Sequence, residues 1–381
     1  MKGDEKRNAV FTVAVISALI LIFTIADFVH EDRIFSVSEN RLLASKPEFS
    51  AEALLDGTYT ARMETYVTDQ FVSRDKWIAI KTGMDIILQK QEINGVYLGK
   101  DDYLIEQHLP ENYTEEQTQK KLALLEKLVD RWDAEVMLVP TADNILVDKM
   151  PANAPYFDQK QFLDRVRNLV GEEHYIDVYH ALSTHADEQI YYRTDHHWTS
   201  LGAYYGYQAW AEARGIQSYP YDTQNMGTVT EEFLGTLHSR VNLDRRADSI
   251  TYFPETTVPT VKITYDMTTV SNALYETSYL ETKNKYGFFL DDNHALVEID
   301  TERQGGGTLF VIKDSYANCF VPLLLPHYSR IYMLDLRYYN GRLSELMEKY
   351  GEHAVNSTGE GMEVMILYNC IHFLEDFGYY E

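Results

Sequence analysis

From Asn8 to Ala26 no residue carries a charge, and most are Val, Ile, Leu, Phe or Ala. About 20 such residues cross a bilayer as a helix, because hydrocarbon offers no partner to an unbonded backbone group. The run predicts a transmembrane signal-anchor over residues 8–29. Lys2, Lys6 and Arg7 precede it, and Asp27, Glu31 and Asp32 follow. Positive charge stays on the cytoplasmic side, which puts residues 1–7 inside and residues 30–381 outside the cell membrane. A cleaved signal peptide is the competing reading, with Thr24-Ile25-Ala26 as its small-residue cleavage site. Against it, the apolar run is longer than an ordinary signal core. Either way, the bulk of the chain works beyond the cytoplasmic membrane.

The outer part divides by pattern. Residues 30–110 form a juxtamembrane segment: helical periodicity runs from Ala51 to about Lys90, and a hairpin follows, from Gly95 through a turn at Lys100-Asp101-Asp102. Residues 111–381 alternate between strand and helix. Thr114 to Asp133 predicts a helix, with Leu122, Leu125 and Val129 among its apolar positions. Ala134–Pro140 and Tyr175–Val178 predict strands, with a helix over Gln161–Val170 between them. Another helix runs from Ser200 to Arg214, stopped by Gly215. After a β-rich insertion at about 228–300 the alternation resumes: strands at Thr308–Ile312, Arg330–Asp335 and Met362–Tyr368, helices at Tyr316–Leu325 and Leu343–Tyr350. That order argues for an α/β fold with a central parallel sheet covered by helices.

Composition narrows the partners. The 381 residues hold 34 basic and 59 acidic side chains, a formal charge of −25. Such a surface repels phosphate backbones, so nucleic acid is a poor partner. Two cysteines make no disulfide framework. Cys319 and Cys370 are open to pairing or to standing as buried free thiols. The sequence calls for no cofactor.

Chemistry concentrates in two blocks. Asp195, His196 and His197 place a carboxylate and two imidazoles directly before the helix opened by Thr199 or Ser200. A carboxylate that orients a histidine and a histidine that takes a proton are two thirds of a nucleophilic triad. The positive end of that helix disfavours imidazolium and keeps a neutral base available. The bland alternative is a polar pair satisfied in a turn. A metal reading draws on His180, His185, Asp195 and His196 or His197, but their spacing fits no zinc motif, and no metal is assigned. The second block is Lys313-Asp314-Ser315-Tyr316, where a strand meets a helix. A serine at such a junction suits a hydrolase nucleophile, with helix-start N–H groups ready to hold an oxyanion. It equally suits a plain N-cap.

With Asp195-His-His-Trp198 and Lys313-Asp-Ser-Tyr316 both present, the chain resembles the bacterial DHHW proteins. These are similar to the alginate O-acetyltransferase group, membrane-anchored relatives of the SGNH (GDSL) hydrolases. The resemblance also takes in Asp69-Gln-Phe71 with Arg74 and Asp75, Asn94–Gly99, Tyr192–Thr199, Lys313–Asn318 and Asp335–Tyr339. It implies an SGNH-like three-layer fold with Asp195 as orienting acid, His197 as general base and Ser315 as nucleophile. His197 is preferred over His196 because the group pairs Asp with the His two positions on. Lys313 stands where GDSL enzymes have glycine. The order Asp, His, Ser amounts to a circular permutation of the usual SGNH order, as in the alginate group. By the same resemblance the Ser315 N–H is an oxyanion donor, with Asn144 and Asn318 as candidate contributors and Arg337 as a nearby cation. Tyr316 is a further candidate contact. Trp198 with Tyr191, Tyr192, Tyr338 and Tyr339 offers faces for sugar rings.

The function implied is O-acyl transfer, most simply of acetyl, to hydroxyls of a cell-surface or exported polysaccharide. The acyl group would come from a membrane-bound acyltransferase partner. Two rival readings stand beside it. A carbohydrate acetylesterase would use the same triad with water as acceptor, and a non-catalytic polysaccharide-binding or assembly protein would keep the fold without turnover.

Overall fold

The computed structural model describes residues 2–36, 41–243, 245–257, 260–303, 305–351 and 362–379. It forms two compact units, residues 1–90 and 91–381. The expected juxtamembrane segment ran to residue 110, so its hairpin falls in the second unit.

The first unit is mainly helical. Helix α1 (Lys2–Val29) contains the uncharged run, and a short antiparallel ladder pairs β1 (Phe35–Ser36) with β2 (Arg41–Leu42). Helices α2 (Ala51–Leu55), α3 (Thr58–Gln70) and α4 (Arg74–Ile87) follow. Buried Asp69 at the end of α3 accepts both Arg41 guanidinium nitrogens, at 2.9 and 2.6 Å, and the Ala44 N–H. Burial opposes this charge, but Arg41 outweighs it and holds the Asp69 pKa down at about 2.

The second unit opens with an antiparallel meander, β3 (Glu92–Ile93), β4 (Val96–Leu98) and β5 (Leu104–Glu106), whose tight turns place Asn94, Gly95, Asp101 and Asp102 at positive φ. Helix α5 (Glu115–Trp132) starts at a capping box between Thr114 and Gln117. Strand β6 (Glu135–Val139) is followed by α6 (Ala142–Ile145), α7 (Gln159–Val170), α8 (Val178–Thr184) and α9 (Ser200–Ala213). Then come β7 (Gly227–Phe233), α10 (Thr236–Val241), β8 (Asp248–Tyr252), β9 (Val261–Tyr265), β10 (Thr269–Ser271) and β11 (Leu296–Thr301). Strand β12 (Gly307–Lys313), α11 (Ala317–Phe320), β13 (Tyr328–Asp335), α12 (Leu343–Gly351), β14 (Glu363–Asn369) and α13 (Cys370–Asp376) complete the unit.

Seven strands form the central sheet in the order β10-β9-β11-β13-β12-β14-β6. It is mixed, which corrects the parallel sheet expected from the sequence. Strands β13, β12, β14 and β6 are parallel, while β11, β9 and β10 add antiparallel neighbours on one side. The β-rich stretch at 228–300 therefore supplies part of the main sheet, and among its described residues only β7 with β8 forms a separate ladder. A second correction concerns Tyr175–Val178. Tyr175 makes a single parallel bridge to Val136, and Val178 begins α8 because the Asp177 carboxylate caps it by accepting the His180 N–H at 3.1 Å.

Alternation along the buried strands divides the interior. Leu309 and Val311 of β12 join Met137, Met333 and Met365 on the face covered by Trp198, α9 and α11. Phe310 and Ile312 point the other way, to α5, α7, α12 and α13. Helices thus cover both faces of one sheet, and the C-terminal ends of four parallel strands share one edge. Ser315 lies just beyond the end of β12 on that edge.

Candidate active site

The turn carrying Asp195 is built from the backbone out. The buried Asp248 carboxylate accepts the N–H of Arg193 (2.9 Å), and the N–H (2.8 Å) and hydroxyl (2.7 Å) of Thr194. Tyr192 N–H donates to the His197 carbonyl, which closes the loop between them. Thr199 then caps α9 by accepting from the Gly202 N–H. Asp195 and His197 are held on a short, braced turn rather than on a flexible loop.

Within that turn the Asp195 Oδ1 accepts both the His197 N–H at 3.0 Å and its ring Nδ1–H at 2.6 Å. The other oxygen accepts the N–H and hydroxyl of Thr236, at 2.9 and 3.0 Å. Burial disfavours this carboxylate, yet the His196 and His197 imidazoles and these donors hold its pKa well below the ordinary range. Because Nδ1 donates to Asp195, the His197 Nε2 presents its lone pair outward, 2.7 Å from the Ser315 Oγ. All three side chains are buried. The Tyr286 ring stacks on the imidazole at 3.8 Å and 9° and fixes its plane. Gly235 leaves room for the acid: a β-carbon there would stand 2.3 Å from that of Asp195.

Ser315 is placed by the residues on either side of it. Asp314 accepts from the Tyr316 N–H (2.9 Å), the Asn369 N–H (2.9 Å), the Asn369 side-chain amide (3.0 Å) and the His372 Nδ1 (3.0 Å). It clamps the end of β12 to the junction of β14 with α13. Lys313, where GDSL enzymes have glycine, is buried. Its ammonium meets the Asn318 Oδ1 at 3.0 Å and Asp335 at 3.5 Å, and burial pushes its pKa down. Among the described residues no acceptor takes the Ser315 N–H, so it stays free for an oxyanion.

The structure brings Asp195, His197 and Ser315 into one hydrogen-bonded line. Such a line can lower the cost of removing the serine proton and can form and break an ester at Oγ. A family model of the DHHW protein matches residues 124–334, more than half of the chain and both blocks. The chain belongs to the DHHW family. The probable alginate O-acetylase AlgJ of Pseudomonas putida is 26% identical over 183 residues, which cover 43% of this chain and 46% of that protein. The match thus spans just under half the length of this curated relative. A crystal structure of a DHHW family protein from Eubacterium siraeum shares the fold at a TM-score of 0.58 and 22% identity, covering 76% of this chain and 98% of that one. A structure of Bacillus cereus PatB1 with a sulfonyl adduct gives 0.57 and 20%, covering 77% and 100%.

Other expected contacts of this DHHW protein turn out to be structural. The Asn144 amide donates to the Phe157 carbonyl at 2.9 Å and accepts the Gln159 N–H at 2.9 Å. Asn318 is engaged by Lys313 and by the Asp292 carbonyl. Neither amide is available as an oxyanion donor. The Arg337 guanidinium closes on buried Asp335 with two hydrogen bonds, at 2.9 and 2.7 Å, so it is no free cation. Trp198, Tyr191 and Tyr192 are fully buried and offer no face to a sugar. Trp198 instead donates to the Tyr316 carbonyl at 3.0 Å, tying the two motif blocks together. The Tyr316 hydroxyl donates to the His196 carbonyl. Tyr338 is exposed, and Tyr339 is half-buried against the second core face. Cys319 and Cys370 are separate buried thiols.

Beside the line lies a small cleft, bordered by Asp195 and His196 and by groups that sequence reasoning missed. One wall is Glu106, His108 and Asp143. His108 Nδ1 meets Asp143 at 2.9 Å and its Nε2 meets Glu106 at 3.7 Å. Burial alone would lower the His108 pKa, but the two carboxylates raise it to about 10. The other wall carries Asn369 and His372. Burial also opposes the His372 imidazolium, and the Asp314 carboxylate more than offsets it. His196, whose Nδ1 meets the Thr236 hydroxyl at 2.8 Å, is the opposite case: burial and the neighbouring His197 lower its pKa to about 4. The carboxylate and imidazole nitrogens of Asp195, His196 and His197 lie within 4.8 Å of one another. Asp195, the His197 ring and the His196 Nδ1 are already engaged in the hydrogen bonds above.

Proposed function

We propose that residues 91–381 form an O-acyltransferase, in its simplest form an O-acetyltransferase, acting on hydroxyls of a cell-surface or exported polysaccharide. The observation that carries this reading is the unbroken Asp195–His197–Ser315 line, with contacts of 2.6 and 2.7 Å. The name of the AlgJ relative supports the class of reaction.

In the first half-reaction His197 Nε2 takes the Ser315 proton as Oγ attacks the acyl carbonyl of the donor. The tetrahedral oxyanion is held by the Ser315 N–H. Its collapse leaves an ester on Ser315, and the proton on His197 passes to the departing donor group. In the second half a sugar hydroxyl in the cleft gives its proton to His197 and attacks the ester. Oγ leaves, recovers the proton, and the acylated sugar is released. Asp195 holds the imidazole in the one tautomer and orientation that both halves require. Water in place of the sugar would make the same machinery an esterase. The position of Ser315 beyond a central parallel strand supports an SGNH-like, permuted arrangement. The apolar α1 supports an anchor that leaves this unit outside the membrane, where a multispanning acyltransferase would hand over the acyl group.

A fluorophosphonate probe on the full chain tests the nucleophile. The expected result is one adduct on Ser315, absent from Ser315→Ala. A folded wild-type protein that takes no adduct would leave only the polysaccharide-binding reading. Incubation with an acetyl-ester donor and a polysaccharide acceptor then separates the two activities. Acetylated glycan formed only with Ser315 intact supports transfer, whereas free acetate alone means esterase.

A further inference from the structure

The stretch Asp69–Asp75 has no part in the site above, yet it joins the apolar helix to an amphipathic one. Asp27, near the end of α1, accepts the Val72 N–H at 2.6 Å. Four residues earlier, Phe23 packs against Phe71 at 5.9 Å and edge-on against Trp77 at 5.6 Å. Arg33 pairs with Asp75 at 2.9 Å, while the Gln70 amide donates to the carbonyls of Arg33 and Ala44. The first turn of α4 is thereby pinned at the level of the last turns of α1.

Helix α4 presents one bare apolar stripe. Trp77, Ile80, Met84 and Ile87 recur at helical spacing, Leu88 extends the row, and these side chains are 44–75% exposed. Thr82 and Asp85 lie off the stripe and are buried. Lys76 and Lys81 flank the stripe on its two sides, as at 100° per residue they must. Lys81 and Lys90 both reach Asp85, at 3.2 and 2.7 Å, so apolar area rather than charge dominates this face.

We propose that α4 is an interfacial helix whose Trp77–Leu88 stripe inserts at the headgroup–acyl boundary of the bilayer that α1 crosses. The inference rests on the anchor reading of α1. If Asn8–Ala26 lie in hydrocarbon, Phe23 sits about 6 Å inside the level of Asp27, since each residue rises about 1.5 Å. Trp77, in contact with Phe23, then lies at the depth where tryptophan is favoured. A helix held there, with a continuous apolar face and lysines at its margins, has the form of one lying in the plane of the interface. Through Phe23 and Trp77 the stripe touches the apolar run of α1, whose other apolar side chains are themselves exposed, which argues for lipid as its cover.

Nitroxide labels on the full chain in phosphatidylcholine–phosphatidylglycerol vesicles test this. Ile80→Cys, Met84→Cys and Ile87→Cys report the stripe, exposed Ala79→Cys the outer face, and Ile16→Cys the anchor. The native thiols are buried, and the unsubstituted protein measures any residual labelling. The expected result is oxygen accessibility, relative to an aqueous nickel reagent, several-fold higher at 80, 84 and 87 than at 79, at shallower depth than at 16. Stripe labels open to nickel would overturn the proposal, as would labels shielded from both reagents, which would mean a protein partner. A label at 16 outside the bilayer would overturn the anchor reading with it, so the two failures are distinguishable.

Discussion

At the scale of single residues, the site rests on one carboxylate that faces two directions. Asp195 turns one oxygen to His197 and the other to Thr236. Asp195→Asn keeps the shape but offers the wrong hydrogen-bond sense to Nδ1. It should lower kcat about a thousand- to ten-thousand-fold; a loss under tenfold in steady-state acyl transfer would remove Asp195 from the mechanism. His108 supplies a pH signature. Its folded pKa of about 10 lies above the unfolded histidine value of about 6.5. Its contribution to stability is therefore complete below about pH 6.5 and lost as pH rises toward 10. The thermal midpoint should fall across that window, and His108→Gln should flatten the fall; parallel curves would show that other groups set it. Asp195, His197 and Ser315 were legible as residue types in two short blocks. Glu106, His108, Asp143 and His372 were not, because their meeting depends on contacts between distant parts of the chain and leaves no local pattern.

At the scale of elements, the junction of β12 with α11 owes its shape to Asp314 more than to backbone strain, since Ser315 is not among the residues at positive φ. Asp314→Ala would leave the donors of Tyr316, Asn369 and His372 without their acceptor in a buried place. The expected cost is roughly 3–5 kcal/mol in denaturant unfolding, well above that of His372→Ala. Equal losses for the two would mean that the pair with His372 is the whole of the clamp. Elements were legible where burial runs the length of a strand, as in β6, β12 and β14. Tyr175–Val178 looked the same in sequence, but Asp177 three residues before His180 is a helix cap and decided the matter locally. The β-rich character of 228–300 was visible, whereas the seating of β11 beside β13, with β9 beyond it, is a long-range choice. Asn369, which accepts from the N–H groups of Ile371 and His372, was the overlooked signal for α13.

At the scale of the whole molecule, charge bears on the acceptor. The chain carries −25. The cleft bordered by Asp195 and His196 is also lined by Glu106, Asp143 and further imidazoles, and among the described lining residues there is no Lys or Arg. The arginine that the sequence offered as a nearby cation is bound to Asp335. A polymer of uronate residues would meet repulsion at long range and, at close range, only the His108 and His372 imidazoliums, which are already paired with Glu106, Asp143 and Asp314, whereas a neutral glycan would meet no such obstacle. Screening tests this, because the Debye length falls from about 30 Å at 0.01 M to about 8 Å at 0.15 M ionic strength. Over that range kcat/KM for transfer to a neutral glycan should hardly move, while transfer to a polyuronate should start low and rise severalfold. A polyuronate that is the better acceptor at low salt, and weakens as salt is added, would show instead that a cationic surface outside this cleft guides the acceptor to Ser315.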